Sequence, residues 1–173
     1  MKFRLGSILL FVAMLVVPNL NAAPKQTLLL NGAKADLIVV EKSKRLLTVY
    51  SSGTVLRTFK IALGHSPTGA KEREGDNRTP EGDYVIDSRL QQSGYHRALH
   101  ISYPNASDIA RAKAGGYQPG GAIMIHGIKN GLGWIGGLHT TTDWTRGCIA
   151  VTNAEIEELW RIVPNGTLIR IRP

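Results

Sequence analysis

The sequence predicts a mainly β domain with one or two helices, its strands forming a closed or nearly closed mixed sheet. Three observations carry that expectation. Residues 36–64 are rich in β-branched and aliphatic side chains and are broken by short polar turns. Loops bearing glycine and proline separate further short apolar runs. One stretch, 152–163, combines a helix start signal with a clear helical spacing of apolar side chains.

Taken in order, "DLIVVEKSKRLLTVYSSGTVLRTFKIALG" breaks at Ser43-Lys44 and at Ser52-Gly53, which predicts three strands in a meander. The polar run 65–84 holds Pro67 and Pro80 and reads as a long irregular loop, a kind that is usually functional or disordered. Residues 84–90 and 98–104 read as strands. Residues 107–114 read as a short helix with Ser107 as N-cap and Gly115-Gly116 as its stop. "AIMIHG" (122–127) is a continuous apolar strand ending in histidine. The glycine-rich run 127–147 reads as a shaped loop; it lacks the terminal Gly-Lys-Ser/Thr of a phosphate cradle. After a short strand "IAVT", Thr152 and Glu155 form a capping box. Ile156, Leu159, Trp160 and Val163 then share one helical face, so Trp160 is expected in the core. A turn at 164–166 leads to a last strand, "TLIRIR".

The chain opens with Lys2 and Arg4, an uncharged apolar stretch from Ile8 to Val17, and the small-residue exit Asn21-Ala22-Ala23. That is the build of a secretory signal peptide over residues 1–22; the apolar stretch is short of the roughly 20 residues of a membrane span. Residues 23–173 are then one exported domain, expected in the periplasm or cell wall, with no stable membrane span. Removing the leader takes two of the 21 basic side chains and none of the 13 acidic ones, so the domain stays basic. An anionic membrane surface or cell-wall polymer fits that charge. Nucleic acid does not, because the cations are scattered, with no basic helix and no aromatic ladder.

Cys148 is the single cysteine. In an oxidising compartment cysteines usually pair, and one left over points to a reactive thiol more than to a buried apolar side chain. A thiol needs a lowered pKa or an adjacent base. Five histidines are available, at 65, 96, 100, 126 and 139. His126 ends an apolar strand, where a ring is held rigidly; His139 lies in the polar run "HTTTDW" and remains a second candidate. Arg146 adds positive charge that favours a thiolate. Gly147 lets the backbone come close, so the amides of Gly147 and Cys148 are candidates for an oxyanion hole. His126, His139 and Cys148 lack the tight local pairs usual in zinc sites. Trp134 and Trp144, flanking the glycine loop, are candidates for a groove wall, with local packing as the alternative.

"IHG" at 125–127 followed by "TRGCIAV" at 145–151 resembles the signature of the L,D-transpeptidase catalytic domain family (YkuD type). The opening hairpin "VEKSKRLLTVY", the loop "EGDNRTPEGDY" and the run "DWTRGCIAVTNAEIEELW" carry the resemblance across nearly the whole domain. It implies a β-sandwich or capped barrel with the cysteine at the base of a groove. It implies that Cys148 attacks the amide between diaminopimelate and D-alanine in a peptidoglycan peptide stem. His126 serves as base, Gly127 orients it through its carbonyl, and Thr145 belongs to the motif. The acyl-enzyme passes to an amine or to water, with neither metal nor organic cofactor. Carbapenems act on such enzymes as substrate mimics. Transfer, stem trimming, and release of a wall-anchored lipoprotein all stay open, as does a non-enzymatic wall-binding module. A monomer is expected. Two departures stand out: the interval from His126 to Cys148 is longer than the commonest spacing, and Ala150 stands where an arginine is frequent.

Overall fold

The structure, a computed structural model, describes residues 32–173; the leader expectation for 1–22 lies outside them. Eight strands form one curled sheet in the order β3-β2-β1-β8-β4-β5-β6-β7. The first three are the expected meander: β1 Leu37–Glu41, β2 Leu46–Ser51 and β3 Thr54–Lys60. Ile38 and Val40 point inward from β1 at period two. The last strand, β8 (Leu168–Arg172), runs parallel to β1 and places Ile169 beside Ile38 and Ile171 beside Val40. Burying each of these side chains contributes about 1.5–3 kcal/mol. The parallel pairing is a long-range event that the meander alone does not announce.

On the other edge of β8 lies β4 (Gly82–Ser93), hydrogen-bonded antiparallel to it. β4 is longer than the expected 84–90, because bulges let it bend away from β8 and continue in a hairpin with β5 (His96–Ile101). β5 therefore starts two residues earlier than the apolar run suggested. β6 (Met124–His126) pairs antiparallel with β5, and β7 (Ile149–Ala150) pairs parallel with β6.

The two ends of the sheet meet. Just beyond β3, Ala62 N–H donates to the Ala150 carbonyl at 3.0 Å, and Ala150 N–H returns the bond at 2.8 Å. Ala150 is fully buried in this seam, so the position where relatives often hold an arginine faces no substrate here. The closed mixed sheet expected from the sequence is the one observed.

Helix α1 (Ala106–Ala114) is capped by Asn105 and not by Ser107. The Asn105 side chain accepts the Asp108 N–H, and the Asp108 carboxylate accepts the Asn105 N–H, a reciprocal box that Ser107 is too far into the helix to make. Helix α2 (Asn153–Ile162) starts as expected at the Thr152–Glu155 box. Ile156 and Leu159 are fully buried, whereas Trp160 is only partly so. Its ring lies between the guanidinium groups of Arg89 and Arg97, 4.1 and 4.9 Å from its centroid. A further feature inside the glycine-rich run is a kinked 3₁₀ segment, Gly133–Thr141. Among the described residues no helix is long and apolar enough to cross a membrane.

Candidate active site

β6 and β7 lie side by side, with His126 opposite Ala150. Cys148 is two residues before Ala150, so at strand period its side chain emerges on the same face as that of His126, about 6.6 Å along the strand. Both side chains line one groove of ≈ 660 Å³, together with His65, Tyr95, Trp144 and Arg146. Cys148 also lines a second, more polar cleft of ≈ 250 Å³ with Lys71, Asn77 and Arg146. The thiol thus stands where two clefts meet.

His126 is buried, and its Nδ1–H donates to its neighbour's carbonyl, that of Gly127, at 2.6 Å. This fixes the tautomer and leaves Nε2 as the basic nitrogen. Burial pushes the imidazole below its ordinary pKa; the Gly127 bond works against that, and the His139 charge adds to it. Gly127 cannot be replaced without collision, since a Cβ there would lie 2.7 Å from Asn153 Oδ1 and 3.0 Å from the Tyr95 carbonyl. Asn153 in turn accepts the Ile128 N–H at 2.8 Å, tying the strand end to the start of α2.

The turn before the thiol is held by its own side chains. Asp143 receives Arg45 through two guanidinium nitrogens, at 3.1 and 2.7 Å, and the Leu63 N–H at 2.9 Å. Thr145 is buried; its hydroxyl donates to the Cys148 carbonyl at 2.7 Å and accepts the Gly147 N–H at 3.1 Å. Gly147 N–H is therefore engaged, which corrects the expectation that it serves an oxyanion. Gly147 itself is required by geometry: its φ is +126° and a Cβ would lie 2.6 Å from the Arg78 carbonyl.

Burial pushes the Cys148 thiol above its ordinary pKa, partly offset by a hydrogen bond to the Met124 backbone and by the charge of Lys71. The thiol donates to the Ala122 carbonyl at 3.5 Å. The cation that acts on it is thus Lys71 and not the exposed Arg146 that the sequence had suggested. Lys71 is 4 % exposed and is bound by Asp76 at 2.7 Å. Burial raises the Asp76 carboxyl, but Lys71 and the backbone N–H groups of Glu72, Arg73 and Arg78 outweigh it and hold the group below its ordinary value. The 65–84 loop is anchored underneath by the buried Lys42, whose Nζ reaches the Gly69 and Thr79 carbonyls and Glu81.

Trp144 does flank the groove: its ring centroid is 5.7 Å from that of His126. Trp134 does not; it is 79 % exposed and lies outside the groove lining. Tyr95, which sequence reasoning missed, stacks on His126 at 4.5 Å and faces Trp144 at 6.0 Å. Its only sequence signal is the Ser93-Gly94 turn that ends β4. His139 is buried behind this wall, not in the groove. His96 and His100 pair with Glu157 and Asp87 away from the thiol. Among the described residues no group of three or more His, Cys, Asp or Glu side chains is placed to hold a metal ion.

Comparison with known proteins follows the same lines. The family described as the L,D-transpeptidase catalytic domain (YkuD) matches residues 35–171. YafK of Escherichia coli (strain K12), provisionally named an L,D-transpeptidase, is 30% identical over 142 residues, 79% of this chain and 50% of that protein. The chain thus spans half the length of that relative. A mutant of the helical cell shape determining protein Pgp2 from Campylobacter jejuni superposes with a TM-score of 0.58 at 26% identity, over 81% of this chain and 47% of that one. A segment of the L,D-transpeptidase from Xylanimonas cellulosilytica shares the fold, with a TM-score of 0.54 at 18% identity, over 81% of this chain and 61% of that one. The chain belongs to the L,D-transpeptidase catalytic domain family, YkuD type.

Proposed function

We propose that this protein is a cysteine-dependent acyltransferase acting on peptidoglycan peptide stems. The observation that carries the reading is that Cys148 lines two separate clefts while sharing one of them with an oriented, neutral imidazole. Burial disfavours both the thiolate and the imidazolium. The resting pair is therefore a thiol and a free base, and the proton moves only as the bond forms. His126 Nε2 takes the thiol proton as sulfur attacks the carbonyl carbon between diaminopimelate and D-alanine. The Cys148 amide faces the developing oxyanion, and the imidazolium protonates the departing D-alanine amine. The products of this half-reaction are a thioester and free D-alanine.

An acceptor amine then attacks the thioester. His126 removes its proton and returns it to the leaving sulfur, restoring the thiol. Two clefts meeting at sulfur give donor and acceptor separate approaches, which supports transfer over hydrolysis. The leader reading of residues 1–22 supports export to the compartment that holds this substrate. The test is the product from tetrapeptide muropeptides incubated with excess amine acceptor. Transfer predicts new amide products; tripeptides alone, at every acceptor concentration, mean a hydrolase.

A further inference from the structure

Behind the wall formed by Tyr95 and Trp144 lies a second cavity of ≈ 330 Å³. This is at the lower end of the roughly 300–1,000 Å³ typical of small-ligand pockets. Ile128, Leu132, Ile135 and Leu138 give it apolar sides. Leu132 and Leu138 are 43 % and 68 % exposed, so the mouth is apolar as well. Two polar side chains complete the lining, His139 and Trp144.

Neither is satisfied by the protein. Both ring nitrogens of His139 and the indole Nε1 of Trp144 are buried and lack a hydrogen-bond partner. His139 is only 4 % exposed, and leaving such groups unpaired costs about 1–3 kcal/mol each. Buried polar atoms without partners in an otherwise well-bonded domain mark a place where something else supplies them.

The donor and acceptor pattern identifies what fits. Trp144 Nε1–H can only donate. Burial pushes His139 below its ordinary pKa, so its ring is neutral at pH 7, with one nitrogen donating and one accepting. A peptide group supplies the complement: its carbonyl accepts from Trp144 and its N–H donates to His139. The apolar sides then take the side chain attached to it. An acyl chain fills the sides but leaves the polar atoms unpaired, and a sugar pairs them but wets the sides.

We infer that this cavity is a binding site for a polypeptide segment that presents a large apolar side chain with its adjoining main-chain amide. The site is separate from the acylation chemistry, although Tyr95 and Trp144 are common to both cavities. A partner held there lies directly beside the groove of Cys148. The alanine, glutamate and diaminopimelate of a peptide stem offer no large apolar side chain, so the occupant is a second ligand.

The test uses the full chain labelled with ¹⁵N, whose three tryptophans give three indole N–H signals. Trp144→Phe identifies the one of interest. The probe is acetyl-Gly-Phe-Gly-amide, with acetyl-Gly-Gly-Gly-amide and octanoate as controls. The Phe peptide should shift the Trp144 signal saturably, and the Gly peptide and octanoate should not. Leu138→Glu and Leu132→Glu, at exposed positions that folding tolerates, should each weaken the response about tenfold. Acylation of Cys148 by a carbapenem, followed in the same samples, should be unchanged, so it reports on the catalytic reading independently. No saturable shift with the Phe peptide would overturn the inference. So would a response that both Glu variants retain, or an equal shift with octanoate. A shift that grows with protein concentration before any probe is added would assign the cavity to a second copy of the chain, and would also overturn it.

Discussion

The Thr145 hydroxyl ties the Cys148 carbonyl to the Gly147 N–H, at 2.7 and 3.1 Å, and so fixes the turn on which the nucleophile sits. Thr145→Val keeps the shape but removes both bonds in a buried place. We predict a loss of about 1–3 kcal/mol in stability and carbapenem acylation of Cys148 slowed about tenfold or more through misplacement of sulfur. Thr145→Ser should recover most of both. Thermal melts and acylation rates check this; a Val variant that matches the wild type in both would show the hydroxyl to be idle.

Gly147 and Gly137 make a paired prediction. At Gly147 a Cβ meets the Arg78 carbonyl at 2.6 Å on a backbone at φ +126°, whereas at Gly137 it meets nothing within 4 Å. Gly147→Ala should cost more than about 1 kcal/mol, and Gly137→Ala should stay within about 0.5 kcal/mol of the wild type. Urea unfolding of the two variants decides it, and equal midpoints would contradict the close approach.

The titrating groups fix a pH window for stability. His126 and His139 have folded pKa values below their ordinary 6.5, so below that pH the unfolded chain binds more protons and stability falls as pH drops. Cys148 has a folded pKa above its ordinary 9.0, so above that pH the unfolded chain releases its proton first and stability falls as pH rises. These three groups therefore give a plateau between 6.5 and 9.0. Replacing Cys148 by Ala should extend the alkaline side, and denaturant midpoints across pH would show it. An unchanged alkaline limb would contradict the raised thiol.

Lys71→Gln removes the cation that pulls the thiol down. The pH dependence of Cys148 alkylation by iodoacetamide should then move to higher pH. Arg146→Gln, at an exposed position, should leave it in place. The opposite pair of results would restore Arg146 to the role the sequence suggested.

What could be read in the sequence was local. The meander breaks at Ser43-Lys44 and Ser52-Gly53, the Thr152–Glu155 box, and the rigidity of His126 at a strand end all depend on a few neighbouring residues. What could not be read depends on register between distant strands. Lys71 reaches Cys148 only because Lys42 and Asp76 shape a loop far away in the chain. Tyr95 meets His126 because β5 pairs with β6 and their hairpin tip folds over the ring. Trp134 and Trp144 look alike as aromatics beside glycines; only the 3₁₀ segment turns the first outward while the second packs on His126. Asn105 was overlooked as a cap because the box with Asp108 begins two residues before the expected helix start.

The central claim is that Cys148 is acylated with His126 as its base, and intact-protein mass after exposure to a carbapenem tests it most directly. The wild type should gain one covalent adduct. Cys148→Ala should gain none, His126→Ala should lose acylation nearly as completely, and His139→Ala should still form the adduct. An adduct that persists unchanged on Cys148→Ala, or that forms on His126→Ala as fast as on the wild type, would contradict the account.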